Sequence, residues 1–467
     1  MAAPTSSSSV PPPRPSPLAF AVVREPADRA PHEAARHFLA RLREPTTLLL
    51  ALSGGSDSTA LLIAFHEAMS AGSPHRLVAC TVDHGLRQGS GAEAAQVAAL
   101  CATLAIPHET ARWQHAGVRS AIQAQARLAR YRLLADCAGR HGAALILTGH
   151  TADDQAETIA MRRARTDAAE DGAATGLSGM ADMTLFERRI WIARPFLRLS
   201  RQRLRDLLLQ RGMSWIEDPS NDNPAFERVR LRRGGAAASV DLQQAEAAER
   251  RRRESSARIA ALLAERLRFH GQGLGELSLL PNDLEDPDMP RLLAILAGIM
   301  GGRAHGPGRQ SIDRLMTSLR ASHARFAAGR CLFDRRGSRL FLYRELRGLP
   351  AEMQLPPGSV TDWDGRFRIL NHTRAPLSIR TSCEAQANRD EISRSIPTSI
   401  ARAAQSSLPL CLHDPLIAEM APPISLSRRL APFDTFLPCF DSTMAACFDS
   451  LIGREPFPPA PVRDDLS

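Results

Sequence analysis

Residues 46–69 read TTLLLALSGGSDSTALLIAFHEAM, and the order of residue types in this one stretch sets the architecture of the first domain. TTLLLAL is an apolar run of strand length, and TALLIAFHEAM is an apolar run of helix length. Between them stands Ser53-Gly54-Gly55-Ser56-Asp57-Ser58. Two glycines let a backbone come close to a ligand, three hydroxyls add donors, and a helix start offers unpaired N–H groups at the positive end of its dipole. The combination is an anion cradle that needs no lysine. Asp57 inside such a cradle would repel phosphate unless a divalent cation lay between them, which points to Mg²⁺ bridging to pyrophosphate. The simpler alternatives are a tight turn for Gly-Gly-Ser and a helix cap for Asp57.

On either side of this loop, short β-rich runs alternate with amphipathic segments from Pro31 to about Trp215. RLVACTVD, GAEAAQVAALCATLA, the segment around Arg127 and ALILTGH follow one another. Strand, helix, strand, helix implies an α/β fold with a Rossmann-like parallel sheet covered on both faces. Ligands of such sheets bind beyond the carboxyl ends of the strands, so the loops after Leu52, Val82 and Leu147 should converge on one crevice.

Charge narrows the partners. The chain carries 59 Lys+Arg against 50 Asp+Glu, a formal +9, and not one of those cations is a lysine. A Walker A loop, a kinase phosphate-contacting lysine and a lysyl nucleophile are therefore excluded. Arginine's planar fork suits phosphate, so a nucleic-acid partner fits, although a genome-wide preference for arginine codons gives the same composition. The eight cysteines are scattered without a C-x-x-C pair, and read as reduced structural thiols instead of zinc ligands. No apolar run reaches the roughly 20 residues that cross a bilayer, and the Ser/Pro-rich start is unlike a signal peptide, so a cytoplasmic protein is expected.

The expected division is a disordered tail over 1–18, a catalytic domain over 19–218, an α-rich domain over 219–349 and a small irregular region over 350–467. The α-rich part holds DLQQAEAAERRRRESSARIAALLAERLRFH and a hairpin-like RCLFDRRGSRLFLYRE, and the last has WDGRFRIL as its best strand. The run Arg250 to Arg253 would serve against a nucleic-acid backbone or be a solvated helix face.

The string S-G-G-x-D-S resembles the PP-loop of ATP pyrophosphatases, which cleave ATP between the α- and β-phosphates to adenylate a carbonyl-type oxygen. Asp83-His84-Gly85-Leu86-Arg87, Ala126-Arg127-Leu128-Ala129-Arg130-Tyr131 and the string from Thr148-Gly149-His150 to Thr158 narrow the likeness. So do Arg194-Pro195-Phe196, Trp215 to Asn221, and Arg228, Arg230 and Arg232. Together they resemble the tRNA-Ile-lysidine synthetases over roughly residues 46–232.

The resemblance implies ATP and Mg²⁺ as cofactors, with free L-lysine and a CAU-anticodon isoleucine tRNA as substrates. It places nucleotide at Ser53, Gly54, Gly55, Ser56, Asp57, Ser58, His84 and His150, and the metal at Asp57. Asp57, Asp154, Glu157 and Arg130 are the expected catalytic residues. Asp154 and Glu157 are three apart on one helix face, where paired carboxylates could hold the ammonium groups of lysine, with Asp153 pointing elsewhere. The plain alternative makes Asp153 and Asp154 first-turn acids that stabilise a helix start. His150 would touch nucleotide phosphate or the target base, or be merely hydrogen-bonded structure. Arg127 and Arg130 would grip phosphate or cytosine, or form a solvated face.

Thr151 stands where the family commonly has a second histidine, and Val229 where it has an asparagine. Residues 162–179 are longer and more acidic than the family's Arg/Gly-rich turn. A homodimer stays open as an assembly. The rival enzyme is a PP-loop tRNA thiolase, disfavoured by the lack of paired cysteines. A non-catalytic arginine-rich RNA-binding protein is the rival of another class.

Overall fold

The computed structural model describes residues 29–69, 72–85, 89–114, 122–165, 177–217, 227–235, 240–382, 395–412 and 424–463. The expected tail 1–18, most of the acidic stretch 164–178, and the motif residues Leu86, Arg87 and Asp218 to Asn221 lie outside them.

The first region alternates α1 (Pro31–Ala40), β1 (Thr47–Leu52), α2 (Ser56–Ala68), β2 (Arg76–Asp83), α3 (Ser90–Thr103), β3 (His108–Arg112), α4 (Ile122–Arg140), β4 (Ala143–Leu147) and α5 (Ala152–Arg165). Then come β5 (Met183–Phe186), β6 (Ile190–Ala193) and α6 (Arg201–Gln210). β1 pairs in parallel with β2 on one side and β4 on the other. Its side chains alternate between two cores, as a strand buried on both faces requires. Leu48, Leu50 and Leu52 join Phe38, Leu61 and Leu204 on one face. Leu49 and Ala51 join Val78, Tyr131 and Ile146 on the other. The apolar run of α2 is continuous because Ser58 through Phe65 are all buried beneath the sheet.

The strand order β5-β6-β4-β1-β2-β3 reverses direction between β1 and β4. That switch point leaves a crevice at the carboxyl ends of these strands, where the ligand of a doubly wound sheet belongs.

The sheet has a seventh strand that no periodicity in the sequence announces. Phe436–Pro438, far along the chain, pairs antiparallel with β5 and closes the sheet's exposed edge. The chain end is tied to the same body, since Arg43 donates its backbone N–H to the Pro461 carbonyl and the Trp191 indole N–H reaches the Pro458 and Pro459 carbonyls.

After α7 (Glu227–Arg233) and α8 (Leu242–Arg266), the second region holds more strand than its arginine-studded helices suggest. Five antiparallel strands form one sheet, and the hairpin expected around Cys331–Arg344 is two of them, with Cys331 opposite Arg344. The third region contributes two three-stranded sheets, and WDGRFRIL, expected as a strand, divides into a tight turn that pairs Trp363 with Phe367 and the strand Phe367–Asn371 that follows it. Asp364, in that turn, has φ of 53° and is buried among the guanidinium groups of Arg330, Arg344 and Arg366. This carboxylate joins the five-stranded sheet to the C-terminal sheets. No helix among the described residues is long and apolar enough to cross a membrane.

Candidate active site at the switch point

The loop between β1 and α2 is held open by its own backbone. Gly54 has φ of 81°, a left-handed conformation that suits glycine. Gly55 occupies the N-cap position of α2 without a side chain to cap it, so the first N–H groups of the helix face the crevice. Ser58 braces the loop. Its Oγ accepts from the Ser53 backbone N–H at 3.1 Å and donates to the Gly55 carbonyl at 3.1 Å, with the Ser53 hydroxyl 3.2 Å away. Thr59 donates to the Gly54 carbonyl at 3.2 Å. A braced loop at a helix N-terminus that no side chain caps fits the pyrophosphate of ATP.

The loop after β4 lies directly against this cradle. A Cβ on Gly149 would fall 2.6 Å from the Asp57 carbonyl oxygen, so only glycine permits the approach. The loop after β2 begins with His84, half-buried at the strand's carboxyl end. Asp83 beside it is tied inward, accepting from the Gly85 N–H at 3.0 Å and the Ser90 hydroxyl at 2.6 Å. These bonds, together with Arg112, hold its carboxyl below the usual range.

Sequence reasoning missed the residue that gathers the acids. Arg201, at the first position of α6, donates Nε to Asp57 Oδ2 at 3.0 Å and Nη2 to Asp154 Oδ1 at 3.0 Å. Its Nη1 lies 3.8 Å from Glu157 Oε1, and its backbone N–H donates to Asp153 Oδ2 at 2.7 Å. Asp153 thus faces the start of α6. Asp154 and Glu157 are buried. Burial raises the Asp57 carboxyl and outweighs the lowering from Arg201, with Asp154 adding repulsion. Arg201 loses most to burial, yet the acids around it hold its guanidinium above the ordinary range.

Asp154 has a second duty. Its Oδ2 accepts from the Thr151 N–H at 2.8 Å and the Thr151 hydroxyl at 2.9 Å, while Asp154 N–H approaches the same hydroxyl at 3.4 Å. This reciprocal pairing is a capping box that starts α5. Asp154 thus has the helix-start role at Oδ2, while Oδ1 is held by Arg201. Thr151, at the position where a histidine was expected, is fully buried in this role. Val229, in place of an expected asparagine, packs inside on α7.

His150 receives or donates a hydrogen bond at Nδ1 with the Thr148 hydroxyl, 2.9 Å away. Loss of water around the ring pushes its pKa down to about 3, and the charges of Arg194, Arg130 and Arg127 act in the same direction. His150 is therefore neutral near pH 7. Arg130 and Arg127 are exposed on α4, and Arg127 stands 5.2 Å above the Tyr131 ring. A neutral imidazole rimmed by exposed guanidinium groups suits a phosphate or a polar base edge.

The run Arg250 to Arg253 divides. Arg250 and Arg251 are exposed, whereas Arg252 pairs with Asp441 and Arg253 with Glu249 at 2.7 Å. Half of it is internal structure. Elsewhere, Glu109, Cys137 and His141 bring potential metal-ligand atoms within 4.8 Å of one another, but Arg140 and His141 already satisfy Glu109.

Comparison with known proteins gives the family. A PP-loop domain family matches residues 29–234. The chain is 42% identical over 444 residues to a tRNA(Ile)-lysidine synthase of Rhizobium meliloti, covering 93% of this chain and 98% of that one. It is 39% identical over 426 residues to the enzyme of the same name from Mesorhizobium japonicum, covering 88% and 93%. Among solved structures, a U34-tRNA thiolase of Methanococcus maripaludis shares 15% identity with a TM-score of 0.37 over 47% of this chain and 78% of that chain, too slight a likeness to bear on the reaction. With a lysine-free anion loop, carboxylates drawn together beside it, and relatives matched almost end to end, the chain belongs to the tRNA(Ile)-lysidine synthase family.

Proposed function

We propose that the protein joins free lysine to C2 of the wobble cytidine of the CAU-anticodon isoleucine tRNA. ATP provides the activation in this cytoplasmic reaction. The observation that carries the reading is the span of Arg201. One guanidinium touches Asp57, in the anion loop, together with Asp154 and Glu157, on the helix that follows β4. The leaving-group side and the amine side of a two-step reaction are thus one side chain apart.

In the first step the C2 oxygen of the cytidine attacks the α-phosphate of ATP, and pyrophosphate leaves into the loop Ser53 to Ser58. The helix start and the hydroxyls there stabilise charge as it develops, so no side-chain nucleophile is required. Asp57 is the residue that would hold Mg²⁺, which would neutralise the pyrophosphate when bound. Arg130 and the neutral His150 would position phosphate or cytosine, and His84 would close the nucleotide side.

In the second step the lysine side-chain amine attacks C2 of the adenylated base. AMP leaves with the oxygen, and the amine loses its proton. Asp154 and Glu157 would hold the ammonium and stand beside that proton. The catalytic chemistry is assigned to residues 19–218 and tRNA backbone contacts to 219–349, with the role of 350–467 left to experiment.

The partial reactions test this directly. With ATP and tRNA but no lysine, pyrophosphate should appear while AMP stays bound to tRNA; adding lysine should release AMP. Release of AMP in the absence of tRNA would overturn the assignment of cytidine as the adenylated group.

A further inference from the structure

Arg201 is unlike the chain's other site arginines because all three of its side-chain nitrogens face carboxylates. Nε meets Asp57 at 3.0 Å, Nη2 meets Asp154 at 3.0 Å, and Nη1 faces Glu157 at 3.8 Å. Two of its N–H donors are bonded to carboxylates and the third nitrogen faces one, so the acids of this pocket hold the guanidinium. It is itself the cation of this pocket.

The anchoring is one-sided. The backbone of Arg201 is fixed, because its N–H is held by Asp153 at 2.7 Å and Ser200 caps the helix through the Arg203 N–H. Among the described residues the side chain is held by the three acids, and it is partly exposed, at 19%. Rotation of the side chain alone would open the pocket and leave α6 in place.

We infer that Arg201 is an internal plug, occupying in the ligand-free protein the cation position between Asp57, Asp154 and Glu157 that a substrate ammonium takes during the reaction. The inference rests on the proposed role of Asp154 and Glu157 toward lysine. It adds that the amine must displace Arg201 from Asp154 and Glu157, whereas the contact with Asp57 must open earlier, when nucleotide and Mg²⁺ bind. The plug places a positive charge among the carboxylates while the substrate is absent, which offsets the repulsion between three converging acids. It also discriminates, since a weakly bound monovalent cation must compete with a tethered guanidinium.

Arg201→Met tests the plug by removing the charge and keeping the length of the side chain. The apparent affinity for lysine should rise on the order of tenfold, because the fraction of protein with an open pocket increases. This is read as a lower lysine KM in tRNA-dependent AMP release. A merely structural role predicts a higher KM; a lower thermal midpoint follows in either case, because the acids lose their guanidinium. A higher lysine KM would overturn the plug.

The second readout does not depend on lysine. Guanidinium ion at low millimolar concentration should raise the thermal midpoint of Arg201→Met and leave that of the wild type unmoved. If neither protein responds, the pocket does not accept a cation in place of Arg201 and the inference fails, even where lysine ligation is observed. If the variant responds but wild type ligates no lysine, the plug stands and the proposed substrate is wrong.

Discussion

Ile216 donates its backbone N–H to the carbonyl of Gly54 at 2.9 Å, so the segment after α6 forms a roof over the anion loop. The approach is close enough that a Cβ on Gly54 would lie 2.5 Å from Ile216 Cδ1.

Gly54→Ala should therefore suffer twice, from the left-handed backbone and from the collision with Ile216. The expected cost is about 1–3 kcal/mol of stability, with loss of ATP-dependent activity. Thermal unfolding and pyrophosphate release measure the two effects. A variant with a normal midpoint and normal turnover would show that the roof is not closed in the working enzyme.

Asp182 is buried, and its Oδ2 has no hydrogen-bond partner among the described residues. Burial, reinforced by Glu249, raises its pKa to about 7 against the attraction of Arg198, Arg253 and Arg194. Because the folded value lies above the ordinary carboxylate value, the contribution to stability is fully present below about pH 4 and is lost as pH rises through 7. Asp182→Asn should leave stability at pH 4 unchanged and raise it at pH 8, on the order of 2 kcal/mol. Denaturant titrations at the two pH values check the sign. Equal stabilities at pH 8 would mean that the neighbouring guanidinium groups already keep the folded carboxylate ionised.

The two halves of the Arg250 to Arg253 run should behave differently. Replacing the exposed Arg250 and Arg251 with alanine should weaken tRNA binding and lower the salt slope of affinity by about one for each phosphate no longer neutralised, with no change in thermal midpoint. Arg252→Ala should instead lower the midpoint, because Asp441 is buried and also faces Arg291. Identical effects from the two substitutions would contradict the division.

Thr151→Ala should separate helix capping from catalysis. It removes the hydroxyl that Asp154 Oδ2 accepts from and leaves the Oδ1 bond to Arg201 intact. A loss of about 1 kcal/mol is expected from the cap, with kcat preserved within a few-fold. A collapse of kcat without loss of stability would show that Thr151 acts on the reacting groups.

These relationships divide by how far apart in sequence their partners lie. The β1, loop and α2 unit was legible because its apolar runs, glycines and hydroxyls are contiguous, and the strand alternation that places the crevice was legible for the same reason. Arg201 was not, because its link to Asp154 spans 47 residues and nothing in LSRQRL distinguishes it from the chain's many other arginines. Phe436–Pro438 was equally hidden. Three residues ending in proline carry no strand periodicity, and the pairing surface is supplied by β5. Asp364 lies inside WDGRFRIL, which reads as a strand, and only the fold makes it a turn residue and brings Arg330 and Arg344 to it. The helix-start role of Asp154 uses Oδ2 and leaves Oδ1 to Arg201, so the cap by itself does not take the carboxylate out of the crevice.

The most direct test of lysine ligation is incorporation of radiolabelled lysine into a CAU-anticodon isoleucine tRNA transcript with ATP and Mg²⁺, comparing wild type with Asp57→Ala and Asp154→Ala. Incorporation by the wild type that both substitutions abolish is the predicted result. No incorporation by a folded wild type that binds the tRNA would contradict the account.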